Sequence, residues 1–345
     1  MTIAAESAAS AAPAPPPALA IMQMIAGRWV SGAVTTAARL QLADRLAGKP
    51  QTSEELADAA GAHGPSLYRL LRALASLGLM TEDAGGRFAL TPLGDHLRSD
   101  VPGSMFGLVQ FFASEEHGAA WNALAYAVTS GEPAFEHLYG CTLWEYLDSE
   151  PALNVIFSDA MTSLMSAFRD EIVAHLELDG VRTVADVGGA AGALLERILE
   201  RRPAIRGILY DRQAVIEDVR RDAPALLRER CDFVAGDFME RVPAADVLLL
   251  SHVLHDWSDA DAVRILKNCR AALPAHGRVV VVDHVMEPGD APDFAKLLDL
   301  EMLALNAGRE RTRGEFERLL GQAGLRLVGV TRLHGTALVE AVAAA

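Results

Sequence analysis

Residues able to bind a nucleoside follow four short apolar runs in the C-terminal half of the chain. The first run leads into D-V-G-G-A-A-G at 186–192, the second ends at Asp211, the third leads into G-D-F at 236–238, and the fourth into S-H-V-L-H-D-W-S-D at 251–259. Ligands of open α/β sheets collect at the carboxyl ends of the strands, where all four segments fall. The carboxylate of Asp211 would accept both hydroxyls of a ribose, and the third segment offers a carboxylate and an aromatic ring to an adenine. The four segments therefore predict a site for an adenosine-containing ligand.

The glycine-rich turn at 186–192 does not match the dinucleotide fingerprint. A G-x-G-x-x-G motif would need glycine at 190 or 191, depending on its register, and both positions hold alanine. The spacing instead resembles the acid-x-G-x-G-x-G motif of S-adenosylmethionine-dependent methyltransferases, in which Ala190 stands where the middle glycine is usual. The positions that match are Asp186, Gly188 and Gly192. Taken alone, the stretch is equally compatible with a tight turn that binds no ligand.

His255 is the candidate general base of the fourth segment. An imidazole has the pKa range needed to take a proton from a phenol, and carboxylates bonded to its second nitrogen would fix its tautomer, as in a catalytic triad. A lone histidine is more often a surface or capping residue. Asp256 is equally interpretable as a catalytic acid or as the N-cap of a helix at 259–271. Three other histidines lack such a constellation and are interpreted as ordinary: His252, His284 and His334.

The elements that must position these residues are short strands alternating with helices. After Gly180, β-rich runs occur at 182–187, 207–210, 231–234, 247–250 and 278–282. Such alternation implies right-handed βαβ crossovers and a mainly parallel sheet. The C-terminal part of the chain is therefore predicted to be an α/β domain.

The N-terminal part predicts a winged helix. Ser53 is the expected N-cap of a helix that stops at Gly61, a second helix is expected at 66–77, and a hairpin follows. Winged helices often bind DNA, but residues 51–100 contain four arginines against seven acidic residues, and the whole chain carries a formal net charge of −15. A DNA-contacting module normally has a basic footprint, so packing or dimerisation is favoured and nucleic acid is not an expected partner.

Composition excludes several other classes of protein. The cysteines are three in number and widely spaced, which indicates neither a disulfide framework nor a zinc site, and no metal is expected. No apolar run approaches the ~18 residues of a membrane span. The Ala/Pro-rich start lacks the charged and apolar regions of a signal peptide. We expect a cytoplasmic protein with no membrane partner.

Two further motifs give the chain a specific resemblance. The segment L-H-D-W-S-D at 254–259, together with G-R-E-R-T at 308–312 and the winged helix, resembles the plant-type and antibiotic-pathway small-molecule O-methyltransferases over nearly the whole chain after residue 19. The resemblance implies a mainly helical N-terminal domain followed along the chain by a Rossmann-like domain, which contains a seven-stranded, mostly parallel sheet. It also implies S-adenosylmethionine as the cofactor, S-adenosylhomocysteine as its product, and a small aromatic substrate.

The resemblance also assigns roles to residues. In the family the histidine of H-D-W is the general base, which is His255 here, and the flanking acids map to Asp283 and Glu310, with Asp283 in place of the glutamate of plant members. The cofactor positions are Asp186, Gly188, Gly189, Gly192, Asp211, Gly236, Asp237, Phe238 and Ser251. The substrate positions are Leu153, Phe157, Met161, Met302 and Asn306. The helical spacing of the first three is as typical of plain core residues as of a pocket lining.

The predicted organisation has four parts: a disordered tail at 1–18, a winged-helix-like dimerisation domain at 19–100, a helical connector contributing to the substrate pocket at 101–178, and the S-adenosylmethionine-binding domain at 179–345. Residues 19–45 are apolar with few charges, which favours a homodimer. Two other functions stay open. Some antibiotic-pathway relatives use the same fold for hydroxylation or pericyclic ring closure, and a regulator would use the winged helix; charge disfavours the regulator.

Overall fold

The computed structural model describes residues 15–344, and the chain divides after Gly94 into two compact units. Residues 1–14 of the predicted disordered tail lie outside the described residues. The end of that prediction is wrong, because Pro17 and Ala18 begin the first helix. Proline is favoured in a first helical turn, where its missing N–H leaves no hydrogen bond unmade. The domain boundaries at 100 and 178 remain predictions.

The first unit has the helix, helix and hairpin order of a winged helix. Its helices are α1 (Pro17–Arg39), α2 (Leu42–Leu46), α3 (Ser53–Ala60), α4 (Gly64–Ser76) and α5 (Pro92–Asp95), and its strands, in the spatial order β1-β3-β2, are β1 (Gln51–Thr52), β2 (Met80–Glu82) and β3 (Arg87–Leu90). The cap of α3 is Thr52 and not Ser53 as predicted. Thr52 Oγ1 accepts from Glu55 N at 3.2 Å while Glu55 Oε2 accepts from Thr52 N at 2.8 Å. This reciprocal capping box satisfies the N–H groups of Thr52 and Glu55.

Helices open the second unit. They are α6 (Phe106–Phe112), α7 (Glu115–Asn122), α8 (Leu124–Ser130), α9 (Ala134–Tyr139), α10 (Leu143–Ser149) and the long α11 (Pro151–His175). Their aromatic side chains form a core of their own, in which Phe111 and Phe157 meet edge to face at 5.3 Å. Within the described residues, no helix of either unit is both long and apolar enough to span a membrane.

The rest of the second unit is a seven-stranded sheet with helices on both faces. Its strands are β4 (Thr183–Val187), β5 (Arg206–Asp211), β6 (Cys231–Ala235), β7 (Val247–Ser251), β8 (Arg278–Asp283), β11 (Leu325–Arg332) and β12 (Ala337–Ala343), in the order β11-β12-β8-β7-β4-β5-β6. The five strands from β8 to β6 are parallel, and β12 runs against both of its neighbours. The predicted fold class is confirmed.

The remaining elements connect these strands. They are α12 (Ala193–Arg201), α13 (Gln213–Asp222), α14 (Ala225–Arg230), the 3₁₀ turn Leu254–Asp256, α15 (Asp259–Ala272), β9 (Val285–Met286), α16 (Ala295–Leu305), β10 (Arg311–Thr312) and α17 (Arg313–Gln322). Strands β9 and β10 form a separate parallel pair in which Arg311 lies opposite Val285. This pairing brings the 308–312 motif to the end of β8.

Alternate residues of the central strands enter two cores on opposite faces of the sheet. In β7, Leu248 and Leu250 pack into the core that contains α15 and α17, whereas Val247 and Leu249 pack into the core that contains α12 and the end of α11. A strand buried on both faces is apolar throughout, which is why these runs were readable from sequence. The strand order reverses between β4 and β7, so a crevice opens at their carboxyl ends.

Candidate active site

The glycine-rich turn follows β4 directly. Gly188 has a φ of +74°, and a Cβ there would lie 2.9 Å from Val253 Cγ2. At Gly189 the obstacle is different, since a Cβ would lie 2.6 Å from Asp186 Cγ. Only glycine fits at these two positions, the first because of its backbone conformation and the second because of the close approach. Gly192 then caps α12, whose N-terminus faces the same edge of the sheet.

Asp186 is a buried carboxylate with an unsatisfied oxygen. It is 1% exposed, and its Oδ1 has no hydrogen-bond partner among the described residues. Burial, with a smaller contribution from Asp211, raises the pKa of Asp186 to about 7. An orphaned buried oxygen is destabilising unless a ligand or water supplies a donor. The position therefore suits a ligand that brings a hydroxyl or an amino group.

Asp211, at the end of β5, meets the glycine-rich turn. Its Oδ2 accepts from Ala190 N at 2.9 Å and its Oδ1 from Arg212 N at 2.7 Å. A carboxylate offers about four acceptor positions, so each oxygen keeps capacity for one more donor. Two vicinal hydroxyls could bond to these remaining positions. Burial raises the pKa of Asp211, and the two amides oppose that shift.

Ala190 occupies a backbone conformation that suits glycine. Its φ is +47°, where the Cβ of an L-residue costs ~1–2 kcal/mol. We expect Ala190→Gly to increase the free energy of unfolding by ~0.5–1 kcal/mol, measured by chemical denaturation, because the glycine removes this clash. Ala191→Gly is the matched control: Ala191 has no positive φ, so the added chain entropy should lower the stability. Equal destabilisation by both changes would contradict the assigned strain.

The third segment surrounds the end of β6. A Cβ at Gly236 would lie 2.3 Å from the Tyr210 hydroxyl, so the backbone passes closely over that ring. The Asp237 carboxylate accepts from Met239 N at 2.8 Å and has further acceptor capacity. Phe238 meets Trp257 edge to face at 5.7 Å. The carboxylate and the ring lie at the same sheet edge as Asp186 and Asp211 do.

Ser251 ends β7 and His252 follows it. Ser251 Oγ lies 3.3 Å from His252 Nδ1, and His252 N donates to Val282 O at 2.9 Å. His252 has a φ of +53°, which is uncommon for a residue other than glycine. Its ring centroid is 5.5 Å from that of His255 and 5.9 Å from that of His284. His252 and His284 therefore both belong to the surroundings of His255, and their interpretation as ordinary histidines remains a prediction.

His255 lies in the 3₁₀ turn after β7 and is held by Glu310. His255 Nδ1 donates to Glu310 Oε1 at 2.8 Å, and both side chains are buried. His255 Nε2 lies 3.7 Å from Asp256 Oδ1, too far for a hydrogen bond. Burial disfavours the imidazolium, but the carboxylates of Asp256, Glu310 and Asp283 outweigh it and raise the pKa of His255 to about 10. Because Glu310 occupies Nδ1, Nε2 is the nitrogen of this basic imidazole that can exchange a proton with an acceptor.

Asp283 differs from Glu310, although both were predicted to flank His255. It is fully buried at the end of β8, and neither of its carboxylate oxygens has a hydrogen-bond partner among the described residues. Burial raises the pKa of Asp283 to about 8, which the positive charge of His255 opposes. The charges of Asp283 and His255 are thus coupled, since each favours the ionised form of the other. Glu310 alone of the two holds the imidazole through a hydrogen bond.

Asp256 is not the N-cap of the following helix. That cap is Ser258, whose Oγ accepts from Asp261 N at 3.2 Å, and the helix is α15. Asp256 instead accepts from Asn306 Nδ2 at 3.0 Å. Burial raises the pKa of Asp256 to about 6, and the neighbouring His255 opposes the shift.

The predicted substrate positions lie on α11 and at the end of α16. Leu153 is buried in the aromatic core, while Phe157 and Met161 are half-buried at its edge. Met302 is buried. Asn306 uses both ends of its amide inside the protein, since its Oδ1 accepts from Gly308 N at 2.8 Å while its Nδ2 donates to Asp256. Their role in binding an acceptor remains a prediction.

Two buried polar clusters beside the site were not predicted. His117 Nε2 donates to Glu301 Oε1 at 2.9 Å, and Trp121 Nε1 donates to the other oxygen of Glu301, which ties α7 to α16. Arg311, 1% exposed, donates to main-chain oxygens of the His255 turn. The only signal for Arg311 was its place in the 308–312 motif; His117 and Glu301 are 184 residues apart and carry no local pattern.

The chain is similar to proteins of known activity. Residues 121–326 match the family model of the O-methyltransferase domain, and residues 22–100 match the O-methyltransferase dimerisation domain. A phenazine O-methyltransferase of Lysobacter antibioticus is 40% identical over 324 residues, which is 93% of this chain and 95% of that protein. A phenazine-1-carboxylate N-methyltransferase of Pseudomonas aeruginosa is 35% identical over 315 residues, or 91% and 93% of the two chains.

A solved structure agrees with these matches. The S-adenosylhomocysteine-bound form of CalO1, a methyltransferase of calicheamicin biosynthesis, superposes with a TM-score of 0.86 at 37% identity and covers 95% of this chain and 98% of that one. Both the family models and the relatives span most of the described residues. The chain therefore belongs to the O-methyltransferase family and is a methyltransferase of that family with an N-terminal dimerisation domain.

Proposed function

We propose that the protein transfers a methyl group from S-adenosylmethionine to a hydroxyl, in particular a phenolic one, of a small aromatic or polyketide-like secondary metabolite, with His255 as the general base. The observation that carries the proposal is the 2.8 Å bond from His255 Nδ1 to Glu310, which leaves Nε2 available. It lies at the same sheet edge as Asp186 and Asp211. A base and a nucleoside site side by side are what a proton-coupled methyl transfer needs.

The residues of the sheet edge fit the cofactor. Asp211 has acceptor capacity for the ribose hydroxyls, Asp237 and Phe238 suit the adenine, and the orphaned Oδ1 of Asp186 suits a donor of the methionine moiety. Gly188 and Gly189 let the backbone approach it. When bound, the cofactor supplies a methyl group on a positively charged sulfur. The chain has only to orient the acceptor and remove its proton.

The raised pKa of His255 matches the acidity of a phenol. An imidazole at its ordinary pKa of about 6.5 would take a phenol proton uphill by ~5 kcal/mol, since a phenol has a pKa of about 10. At a pKa of about 10 for His255 the transfer is nearly balanced. The basic imidazole is mostly protonated at neutral pH, so activity is expected to rise as the pH increases toward that value.

The base favours a hydroxyl over an amine as the acceptor. A neutral phenol is a poor nucleophile until its proton leaves, whereas an aromatic amine has a free lone pair and can lose its proton after methylation. Relatives include both O- and N-methyltransferases. The buried His255–Glu310 pair is required only for the first kind of acceptor.

A methyl-labelled cofactor tests the proposal. The protein is incubated with it and a panel of polyketide, phenazine and flavonoid phenols, each paired with the corresponding aromatic amine, and products are identified by mass spectrometry. We expect label on a phenolic oxygen. Label only on amines would overturn the acceptor class. A product that contains new oxygen or a new ring but no label would establish the hydroxylation or cyclisation alternative instead.

We also propose a homodimer through the first unit. Helix α1 exposes a series of apolar side chains: Ile21, Met22, Met24, Ile25 and Trp29. Light scattering at micromolar concentration is expected to give twice the chain mass of 36.8 kDa. Ile25→Glu, at 66% exposure, should lower that mass, whereas Val128→Glu on α8, at 63%, should not. A monomer for the unmodified protein would refute the dimer.

A further inference from the structure

Arg311 is a fully buried guanidinium next to the turn that carries His255. It is 1% exposed and is the largest of the fully buried side chains. Among the described residues it forms an ion pair with Asp259, which is 56% exposed, and Arg311 Nη2 lies 2.9 Å from Asp259 Oδ1. Taking a charge out of water is unfavourable unless its partners compensate for it. The free-energy cost of burying this charge directs attention to the groups that accept hydrogen bonds from the guanidinium.

The donors of Arg311 hold the backbone on both sides of His255. Arg311 Nη1 donates to Leu254 O at 2.9 Å, and Nη2 donates to Trp257 O at 2.9 Å. Arg311 Nε donates to Asp259 Oδ1 at 3.0 Å, in the first turn of α15. The 3₁₀ turn is thus fixed one residue before His255 and two residues after it.

Residues 308–310, which directly precede β10, hold His255 itself. Arg309 N donates to His255 O at 2.7 Å, and Glu310 accepts from the imidazole. Gly308 passes so close to the His255 backbone that a Cβ there would lie 1.9 Å from His255 O. Residues 308–311 together fix both the backbone and the ring of His255. Arg311 contributes the contacts to the residues on either side of His255.

We propose that Arg311 is a positioning residue for the reaction, which fixes the His255 turn so that the imidazole meets the acceptor proton. The inference rests on the proposed role of His255. Only arginine has five donors in a planar fork, which can reach two carbonyls and a carboxylate at once. A lysine retains the charge but has a single nitrogen. Misplacing a reacting group by ~1 Å can lower a rate by ~10²-fold.

The test compares Arg311→Lys with a matched arginine far from the site. Arg230 also binds main-chain oxygens, with its Nη1 donating to Leu199 O at 2.7 Å and its Nη2 to Arg202 O at 2.8 Å. We expect Arg311→Lys to lower kcat by about 10–100-fold, with the Kd of S-adenosylhomocysteine changed by less than about twofold. Arg230→Lys should leave both unchanged.

The pH profile separates positioning from general loss of structure. His255 is faced by Asp256, Glu310, Asp283, His252 and His284. Because lysine retains the positive charge of Arg311, its effect on these groups is geometric. A looser turn weakens the Glu310 contact, so the rise of kcat/KM with pH should move to lower pH in Arg311→Lys. A merely destabilised enzyme would keep the original profile.

A second variant covers the case in which Arg311→Lys does not fold. Asp259→Ala removes the exposed partner of the guanidinium and should lower kcat in the same direction by about 3–10-fold, a smaller misplacement. Unchanged kcat and pH profile in both variants would overturn the role of Arg311 when His255→Ala shows its expected loss of kcat. If His255→Ala keeps full activity, the proposed function itself fails.

Discussion

Replacing His255 with alanine is expected to lower kcat by about 10²–10⁴-fold at neutral pH, the range for loss of a positioned general base. The Kd of S-adenosylhomocysteine should change little, because the side chains that suit the cofactor are those of Asp186, Asp211 and Asp237 and not that of His255. The measurement is steady-state methyl transfer together with calorimetric binding. The effect follows from Nε2, whose proton affinity is raised by the charge of Asp256 and by that of Glu310, which also accepts from Nδ1 at 2.8 Å.

The surface offers a matched control for this change. His334 Nδ1 also lies 2.8 Å from a glutamate oxygen, that of Glu171, but its side chain is 96% exposed. His334→Ala should leave kcat unchanged. The rate of His255→Ala should recover toward that of the parent above a pH of about 10, where a phenol ionises without help. Full activity of His255→Ala at neutral pH would show that methyl transfer proceeds by proximity alone.

The two acids beside His255 should respond differently to amide substitution. Glu310→Gln replaces the acceptor of the imidazole N–H, so it should both lower kcat and decrease the pKa of His255. The Asp283 carboxyl has no hydrogen-bond partner among the described residues, so Asp283→Asn leaves the contact of His255 with Glu310 in place and acts only through the lost charge. Either effect should be smaller than that of His255→Ala, because neither acid takes the substrate proton.

Elements of the fold could be predicted where consecutive residues share the same environment, such as burial. Strand β7 is readable because burial on both faces makes every residue of 247–250 apolar. The cap of α3 was predicted one residue late, at Ser53 instead of Thr52, and the cap of α15, Ser258, was not predicted. Several candidates for a cap stand side by side in the sequence, and only geometry selects one. The backbone at His252 is equally invisible in sequence.

The sequence predicted which residues belong to the site, but not which of them contact one another. Glu310 and His255 are 55 residues apart, and their contact depends on the pairing of β10 with β9, which no local pattern indicates. Glu310 and Asp283 differ because His255 Nδ1 donates to a carboxylate oxygen of Glu310 and to neither oxygen of Asp283. Arg311 was not predicted because a charged residue in a strand is ordinarily exposed.

Replacing Asp211 with alanine is expected to raise the Kd of S-adenosylhomocysteine by about 10²–10⁴-fold, because two hydrogen bonds to a charged group contribute ~3–6 kcal/mol. The ligand-induced rise in melting temperature should shrink accordingly. Asp211→Asn keeps one acceptor oxygen, so its Kd should lie between those of the parent and the alanine variant.

Asp232→Ala, at the exposed start of β6, is the control and should bind S-adenosylhomocysteine as the parent does. Because Asp211 also accepts from Ala190 N, part of the loss will come from the glycine-rich turn, and the asparagine variant separates the two contributions. Binding by Asp211→Ala as tight as that of the parent would place the ribose elsewhere.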